Sequence, residues 1–127
     1  MSAELFKLTI KSHFVAAVKL PGYAGPCGKL HGHTYKVKAK VVANKLNQDG
    51  MIIDHYILQE KLNKILSLLD HSYLNDFEYF KGTPPTSENI AKYIFGEMHT
   101  ALAKEAATLK QVKIAENENV SISYSQE

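Results

Sequence analysis

The chain reads as an α+β fold: a four-stranded antiparallel sheet with two helices on one side, in the order ββααββ. Three observations predict it. Two early segments, residues 5–18 and 33–42, alternate apolar and polar side chains at strand period. Two later segments repeat apolar residues at helical spacing and follow one another in the chain. Two short strand-like runs then close the sequence around a polar turn. Strands in pairs with the helices grouped between them imply an antiparallel sheet.

In the first strand Phe6, Leu8 and Ile10 share one face, and Lys7, Thr9 and Lys11 the other. A turn-rich loop follows, LPGYAGPCGK, with its prolines and glycines. In the second strand Tyr35, Val37, Ala39 and Val41 oppose Lys36, Lys38 and Lys40, so that strand is half-buried. Asp54 is placed to cap a helix running to about Leu69, whose apolar positions Ile57, Leu58, Leu62, Ile65, Leu66 and Leu69 repeat at helical spacing. The connection DHSYLNDFEYFKGTPP is long for a compact domain, and long connections often carry function. Thr86 or Ser87 caps a second helix to about Ala107, with Ile90, Tyr93, Ile94, Met98 and Leu102 inward. The runs KQVKIAE and VSISYS, joined by NEN, are the last two strands. No repeat or linker divides residues 1–127, which read as one domain.

A chain of 127 residues with 45% hydrophobic and 22% charged side chains can build a core, which argues against wholesale disorder. A net charge of +2 spread along the chain gives no reason to expect nucleic acid or a membrane as partner, and leaves room for a small anion. A single cysteine excludes an internal disulfide. MSAELFK lacks the apolar stretch of an export signal, and no run reaches the roughly 20 apolar residues of a spanning helix, so a cytoplasmic protein is expected.

The densest chemistry is CGKLHGH, residues 27–33. Residues two apart in a strand face the same way, so His31 and His33 can aim two imidazoles at one point, with Gly32 leaving room between them. Imidazole pairs suit zinc; an HxH is equally read as two packed or surface histidines. Cys27, in a Gly/Pro loop, reads as a further ligand, a nucleophile or base, or an inert thiol. Asp70 beside His71 suits a proton shuttle, or is a helix-end carboxylate next to a solvated histidine. Glu116 shares parity with Val112 and Ile114. It could accept two N–H bonds from a planar heterocycle, or lie exposed at a strand end. The lysines Lys7, Lys36, Lys38 and Lys40 read as solvated strand faces.

Taken together, LPGYAGPCGKLHGHTYKV, GMIIDH, LDHSYLND, PTSENIA and VKIAE resemble the 6-pyruvoyl-tetrahydropterin synthase / 6-carboxy-tetrahydropterin synthase family over nearly the whole chain. The C-x-x-x-H-G-H spacing is similar to the bacterial carboxy-tetrahydropterin branch. A longer gap marks the biopterin-making enzymes, and a folate-linked branch has glutamate at the place of Cys27. The resemblance implies the tunnelling fold, with trimers closing into a barrel and stacking as a homohexamer whose active sites lie between subunits. It implies a zinc-dependent lyase that converts 7,8-dihydroneopterin triphosphate to 6-carboxy-5,6,7,8-tetrahydropterin, releasing acetaldehyde and triphosphate, on the route to queuosine. In that scheme His31 and His33 hold zinc and Cys27 is the base. Asp70 and His71 relay protons, while Glu116, Thr86 and Ser87 hold the pterin. The alternatives are triphosphate elimination of the 6-pyruvoyl type and a catalytically silent pterin-binding paralogue.

The chain departs from the family at one place. A third zinc histidine normally ends the first strand, in a pattern like F-x-A-A-H; here the run is Phe14-Val15-Ala16-Ala17-Val18, with valine in the ligand slot. His55 and His99 belong to the helices, which leaves His13 as the candidate third ligand. Parity sets His13 on the other face from Phe14, Ala16 and Val18, so it joins the site only through a bulge or a different register.

Overall fold

In a computed structural model, which describes residues 4–127, the element order is β1 (Phe6–Val18), β2 (His31–Ala43), α1 (His55–Leu69), β3 (Ser72–Tyr73), α2 (Ser87–Ala101), β4 (Thr108–Ala115) and β5 (Ser121–Tyr124). The sheet has five strands in the order β3-β1-β2-β4-β5. The antiparallel pairs β1–β2, β2–β4 and β4–β5 are the ones that the alternation predicts.

The fifth strand corrects the expected four and makes the order ββαβαββ. Ser72 and Tyr73, inside the long connection, pair parallel to β1 at Ala16 and Ala17. Two residues cannot display a period, so nothing in their own pattern marks them as a strand. What holds them is outside them. Asp70 accepts from the backbone N–H of Val15 at 2.8 Å, and the Asn75 amide bonds both the N–H and the carbonyl of Lys19.

α1 begins where expected: the Asp54 carboxylate accepts from the Tyr56 N–H at 2.8 Å. α2 starts after Thr86, whose hydroxyl accepts from the Asn89 N–H, but it stops at Ala101 rather than near Ala107. Leu102 and Ala107 remain buried in the turns that follow, so the apolar pattern outlasts the helix. Neither helix is long and apolar enough to cross a membrane.

Both helices cover one face of the sheet. Ile10, Phe14, Ala16 and Val18 of β1 meet Tyr35, Val37, Ala39 and Val41 of β2 there, under Leu58, Leu62 and Leu66 of α1 and Ile90, Ile94 and Met98 of α2. Phe14 and Tyr35, direct cross-strand partners, stack with ring centroids 4.8 Å apart. The opposite face carries Lys7, Lys11, His13, Lys36 and Lys38, all exposed.

Leu62 is fully buried at the middle of the α1 contact. Leu62→Ala is expected to cost about 2–5 kcal/mol, the range for buried leucine truncation, read as a lowered urea midpoint at unchanged slope.

Candidate functional site

The site grows from the N-terminal end of β2. His31, His33 and Tyr35 alternate onto the helix-covered face, beyond the reach of the helices, so the first two stay partly open. The His31 and His33 rings meet edge to face with centroids 4.9 Å apart, and His33 meets Tyr35 the same way at 5.3 Å. His31 Nδ1 lies 2.7 Å from the carbonyl oxygen of Lys29. A carbonyl can only accept, so Nδ1 carries the proton and Nε2 is left as a free electron pair. Metal-binding histidines are commonly fixed in this way.

Cys27 is brought to this end by the loop between β1 and β2. Pro26–Gly28 form a single 3-10 turn, and the Cys27 carbonyl accepts from the Leu20 N–H at 2.9 Å. Gly22, with φ +80°, supplies the left-handed turn that sends the loop back. Gly28 is required for a different reason: a Cβ there would fall 1.9 Å from the carbonyl oxygen of Tyr23.

Glu116 arrives from the other side, one residue past β4. The buried Ser87 hydroxyl, at the first position of α2, donates to its carboxylate. That bond ties the start of α2 to the end of β4. Burial lowers the His33 imidazole from its ordinary value; the Glu116 charge opposes this shift and His31 adds to it. Burial also pushes the Tyr35 phenol well above its usual value, with smaller contributions from Glu116 and Cys27. Cys27, His31, His33, Tyr35 and Glu116 thus form one electrostatic neighbourhood. Tyr35 went unnoticed as a site residue, although it continues the parity of His31 and His33.

Asp70 and His71 lie elsewhere. Their carboxylate and imidazole pair at 3.0 Å, at the β1–β3 edge of the sheet. The Val15 N–H bond is the main reason why the Asp70 carboxyl titrates below its ordinary value; burial opposes this, and His71 and His13 add to the lowering. His71 adopts φ 57°, a backbone region that costs a non-glycine residue energy, and its N–H is held by the Val15 carbonyl. Within one chain Asp70 and His71 lie on the β3 side of β1, whereas His31 and His33 stand on β2, Cys27 is held beside Leu20 just past β1, and Glu116 follows β4.

His13 belongs with Asp70 and His71. The β1–β2 register runs without a break from Phe6↔Ala43 to Val18↔His31, so no bulge rotates the strand. His13 stays on the face away from the helices, and within the chain it does not join His31 and His33. Val18 sits directly across from His31, 2% exposed, in the core. Among the described residues, no group of three or more His, Cys, Asp or Glu side chains is arranged to hold a metal. The donor set is two imidazoles facing a methyl-lined slot, which does not fit a three-histidine zinc centre.

Fold and site together define a class: a small sheet-and-two-helix domain in which a buried serine at the start of α2 bonds a carboxylate just past β4. Residues 7–127 match the family described as 6-pyruvoyl tetrahydropterin synthase, and the chain belongs to that family. It is 37% identical over 93 residues to a Synechocystis protein named 6-carboxy-5,6,7,8-tetrahydropterin synthase, covering 69% of this chain and 70% of that one. It is 38% identical over 104 residues to a Drosophila melanogaster protein named 6-pyruvoyl tetrahydrobiopterin synthase, covering 79% and 61%. The solved Caenorhabditis elegans 6-pyruvoyl tetrahydropterin synthase superposes over 100% of both chains with TM-score 0.88 at 27% identity.

Gly28→Ala is expected to displace the Cys27 turn without unfolding the core. The measurement is the alkylation rate of Cys27 beside the urea unfolding free energy: the rate should change several-fold while stability falls by about 1–3 kcal/mol, the range for a strained backbone position.

Proposed function

We propose that this chain is a carbon–carbon lyase acting on 7,8-dihydroneopterin triphosphate to give 6-carboxy-5,6,7,8-tetrahydropterin, acetaldehyde and triphosphate, in 7-deazapurine (queuosine) biosynthesis. The observation that carries the reading is the convergence of Cys27 and Glu116 on the histidine pair from separate parts of the chain. The relatives named for this product support it.

Glu116 accepts the ring N–H groups, and the Ser87 hydroxyl donating to the same carboxylate fixes its orientation. Thr86 is taken up as the helix cap and shapes the backbone there. Cys27 removes a proton from the substrate side chain on one side. His71, oriented by Asp70 at 3.0 Å, handles the proton on the other. Movement of the double bond then permits loss of triphosphate, and one water is taken up in the carbon–carbon cleavage, its oxygen balancing the carboxylate and acetaldehyde that are released.

In this reading a neighbouring chain supplies one of the two sets, as the family resemblance implies for sites between subunits. The β5 edge of one subunit set against the β1–β3 edge of the next brings Asp70–His71 of one chain to Glu116 and Cys27 of another. Head-to-tail contacts of this kind close into rings, and closure removes exposed sheet edges. A ring of three, stacked as a hexamer, is the assembly proposed here.

Zinc is the cofactor that the family resemblance implies, with His31 and His33 as its ligands. The donor set of this chain stops at two, so no step is routed through the metal. Val18 is also the one feature that favours a second reading, a pterin-binding protein without turnover. Elimination of the 6-pyruvoyl type is the remaining alternative, and it releases no acetaldehyde.

Incubation with 7,8-dihydroneopterin triphosphate is expected to yield acetaldehyde. Cys27→Ala and His71→Ala should each reduce turnover at least about a hundredfold, the low end for loss of a general acid or base. Co-expression of the two variants should restore part of the activity through mixed rings. Triphosphate without acetaldehyde would indicate the 6-pyruvoyl reaction, and pterin binding without either product the silent reading.

A separate measurement addresses the metal. Wild-type protein dialysed against micromolar zinc is expected to hold well under one zinc per chain, with no thermal stabilisation by zinc. Val18→His should bind about one per chain and gain stability on loading, as three histidines make a catalytic-type site. Wild-type protein retaining one zinc per chain through dialysis would mean that a donor from outside these residues closes the site.

A further inference from the structure

β1 turns the backbone groups of every second residue toward its outer edge. Val15 gives its N–H to Asp70 and its carbonyl to the His71 N–H, and Ala17 falls opposite Tyr73 of β3. Lys19 is next in that series, but a 3-10 turn at Leu74–Asp76 ends the extended run of β3 before the backbone can meet it. The Asn75 side chain stands in. Its amide oxygen accepts from the Lys19 N–H at 3.0 Å, and its amide nitrogen donates to the Lys19 carbonyl at 2.7 Å. A carboxamide carries an acceptor and donors side by side, as a peptide group does, so it satisfies both at once and in one orientation only. The side chain has a firm base: Leu74 beside it is fully buried, and the Leu74 carbonyl accepts from the Phe77 N–H at 3.0 Å.

Lys19 is where the chain leaves β1 for the loop that bears Cys27. Among the described residues, the hydrogen bonds of residues 20–30 stay inside the loop or reach only the side chain of His31. The Leu20 N–H meets the Cys27 carbonyl at 2.9 Å and the Tyr23 N–H meets the Leu20 carbonyl at 3.2 Å. The Gly28 and Lys29 N–H groups close the turn onto Gly25 and Pro26, and the Lys29 carbonyl holds His31 Nδ1. The two Asn75 bonds are therefore the ones that join the root of this loop to a distant segment. The loop's other attachment is Leu20, partly buried against the core. Apolar contact is non-directional, so it limits distance and leaves orientation open. The segment at the far end of the tether is the one that carries Asp70 and His71.

We infer that Asn75 is a positioning residue: its amide sets the orientation of the Cys27 loop against the Asp70–His71 segment. It acts through Lys19 and Leu20, and its influence runs on to His31 through the Lys29 carbonyl. The consequence for turnover rests on the reading above; the tether does not.

The first measurement needs no substrate. Asn75→Ala removes both bonds. Asn75→Asp keeps the shape and an acceptor for the Lys19 N–H, but sets a charged oxygen against the Lys19 carbonyl. Each should raise the rate of Cys27 alkylation by iodoacetamide several-fold, because the half-buried thiol is released with its turn. Asn63→Ala is the comparison. It removes a different side-chain bond onto β1, the one that the Ser12 hydroxyl donates at 2.7 Å, and should lower the urea midpoint with the Cys27 rate as in wild type. Where Asn75→Ala does not fold, Asn75→Asp decides alone. A wild-type rate in a folded Asn75 variant, or an equal rise in Asn63→Ala, would overturn the inference whether or not the chain turns over a pterin. With 7,8-dihydroneopterin triphosphate, the Asn75 variants should lose about tenfold in kcat, the scale of one hydrogen bond. KM should stay unchanged, because Glu116 and Ser87 are untouched. A raised KM at full kcat would also overturn the positioning role. A raised Cys27 rate in a chain whose wild type makes no product keeps the tether and removes the proposed reaction instead.

Discussion

Thirteen residues of β1 lie against thirteen of β2 without a bulge, and nearly everything else in the molecule follows from that register. It puts Phe14 on Tyr35 and so seeds the core between sheet and helices. It delivers His31 and His33 to the covered face just where the helices end. It also decides what is denied. A slip of one residue would turn His13 onto the covered face, though opposite Tyr35 or Val37 rather than the histidines, and would carry Ile10, Phe14, Ala16 and Val18 out into water at the same time. Each buried aliphatic or aromatic side chain is worth about 1.5–3 kcal/mol against exposure, so several of them outweigh one metal ligand. The register is fixed by grease, and the polar chemistry takes the positions that remain.

Local bonds then place the site residues more finely than the register can. The Leu20 N–H on the Cys27 carbonyl, the Lys29 carbonyl on His31 Nδ1, the Ser87 hydroxyl on Glu116 and the Val15 N–H on Asp70 each fix one functional group. Three of the four use backbone as the partner. Of these, Val15 belongs to a paired strand, and Leu20 and Lys29 lie within two residues of a strand end, so each partner is held close to the sheet. His71 is the strained member, in a left-handed conformation secured from both sides by its carboxylate neighbour and by Val15.

What could be read in advance divides along physical lines. Long elements carry a period, and β1, β2, β4 and both helices stand close to where their patterns put them. Same-face placement of His31 and His33, and the opposite placement of His13, follow from alternation alone. β3 was illegible because two residues have no period and their pairing is secured by Asp70 and Asn75. The early end of α2 was hidden because Leu102 and Ala107 stay buried in turns and so prolong an apolar pattern. Asn75 escaped notice because an amide that imitates a peptide group leaves no trace in composition. The lysines of the face away from the helices were visible strand by strand only as solvent-facing alternation; that Lys11, Lys38 and Lys113 stand abreast depends on the pairing, which no single strand reveals.

The short β3 has a geometric consequence. The outward-pointing backbone groups of β1 from Val15 to Lys19 are already occupied, by Asp70, His71, β3 and Asn75 in turn. A strand approaching that edge from another molecule can zip only along the earlier part of β1, and it stops where Asp70 begins. In the ring proposed above, that stop would set the stagger between neighbouring sheets. In a closed barrel, stagger and strand number together fix tilt and diameter. A two-residue strand at one edge thus works as a gauge for the curvature of whatever larger structure these sheets build.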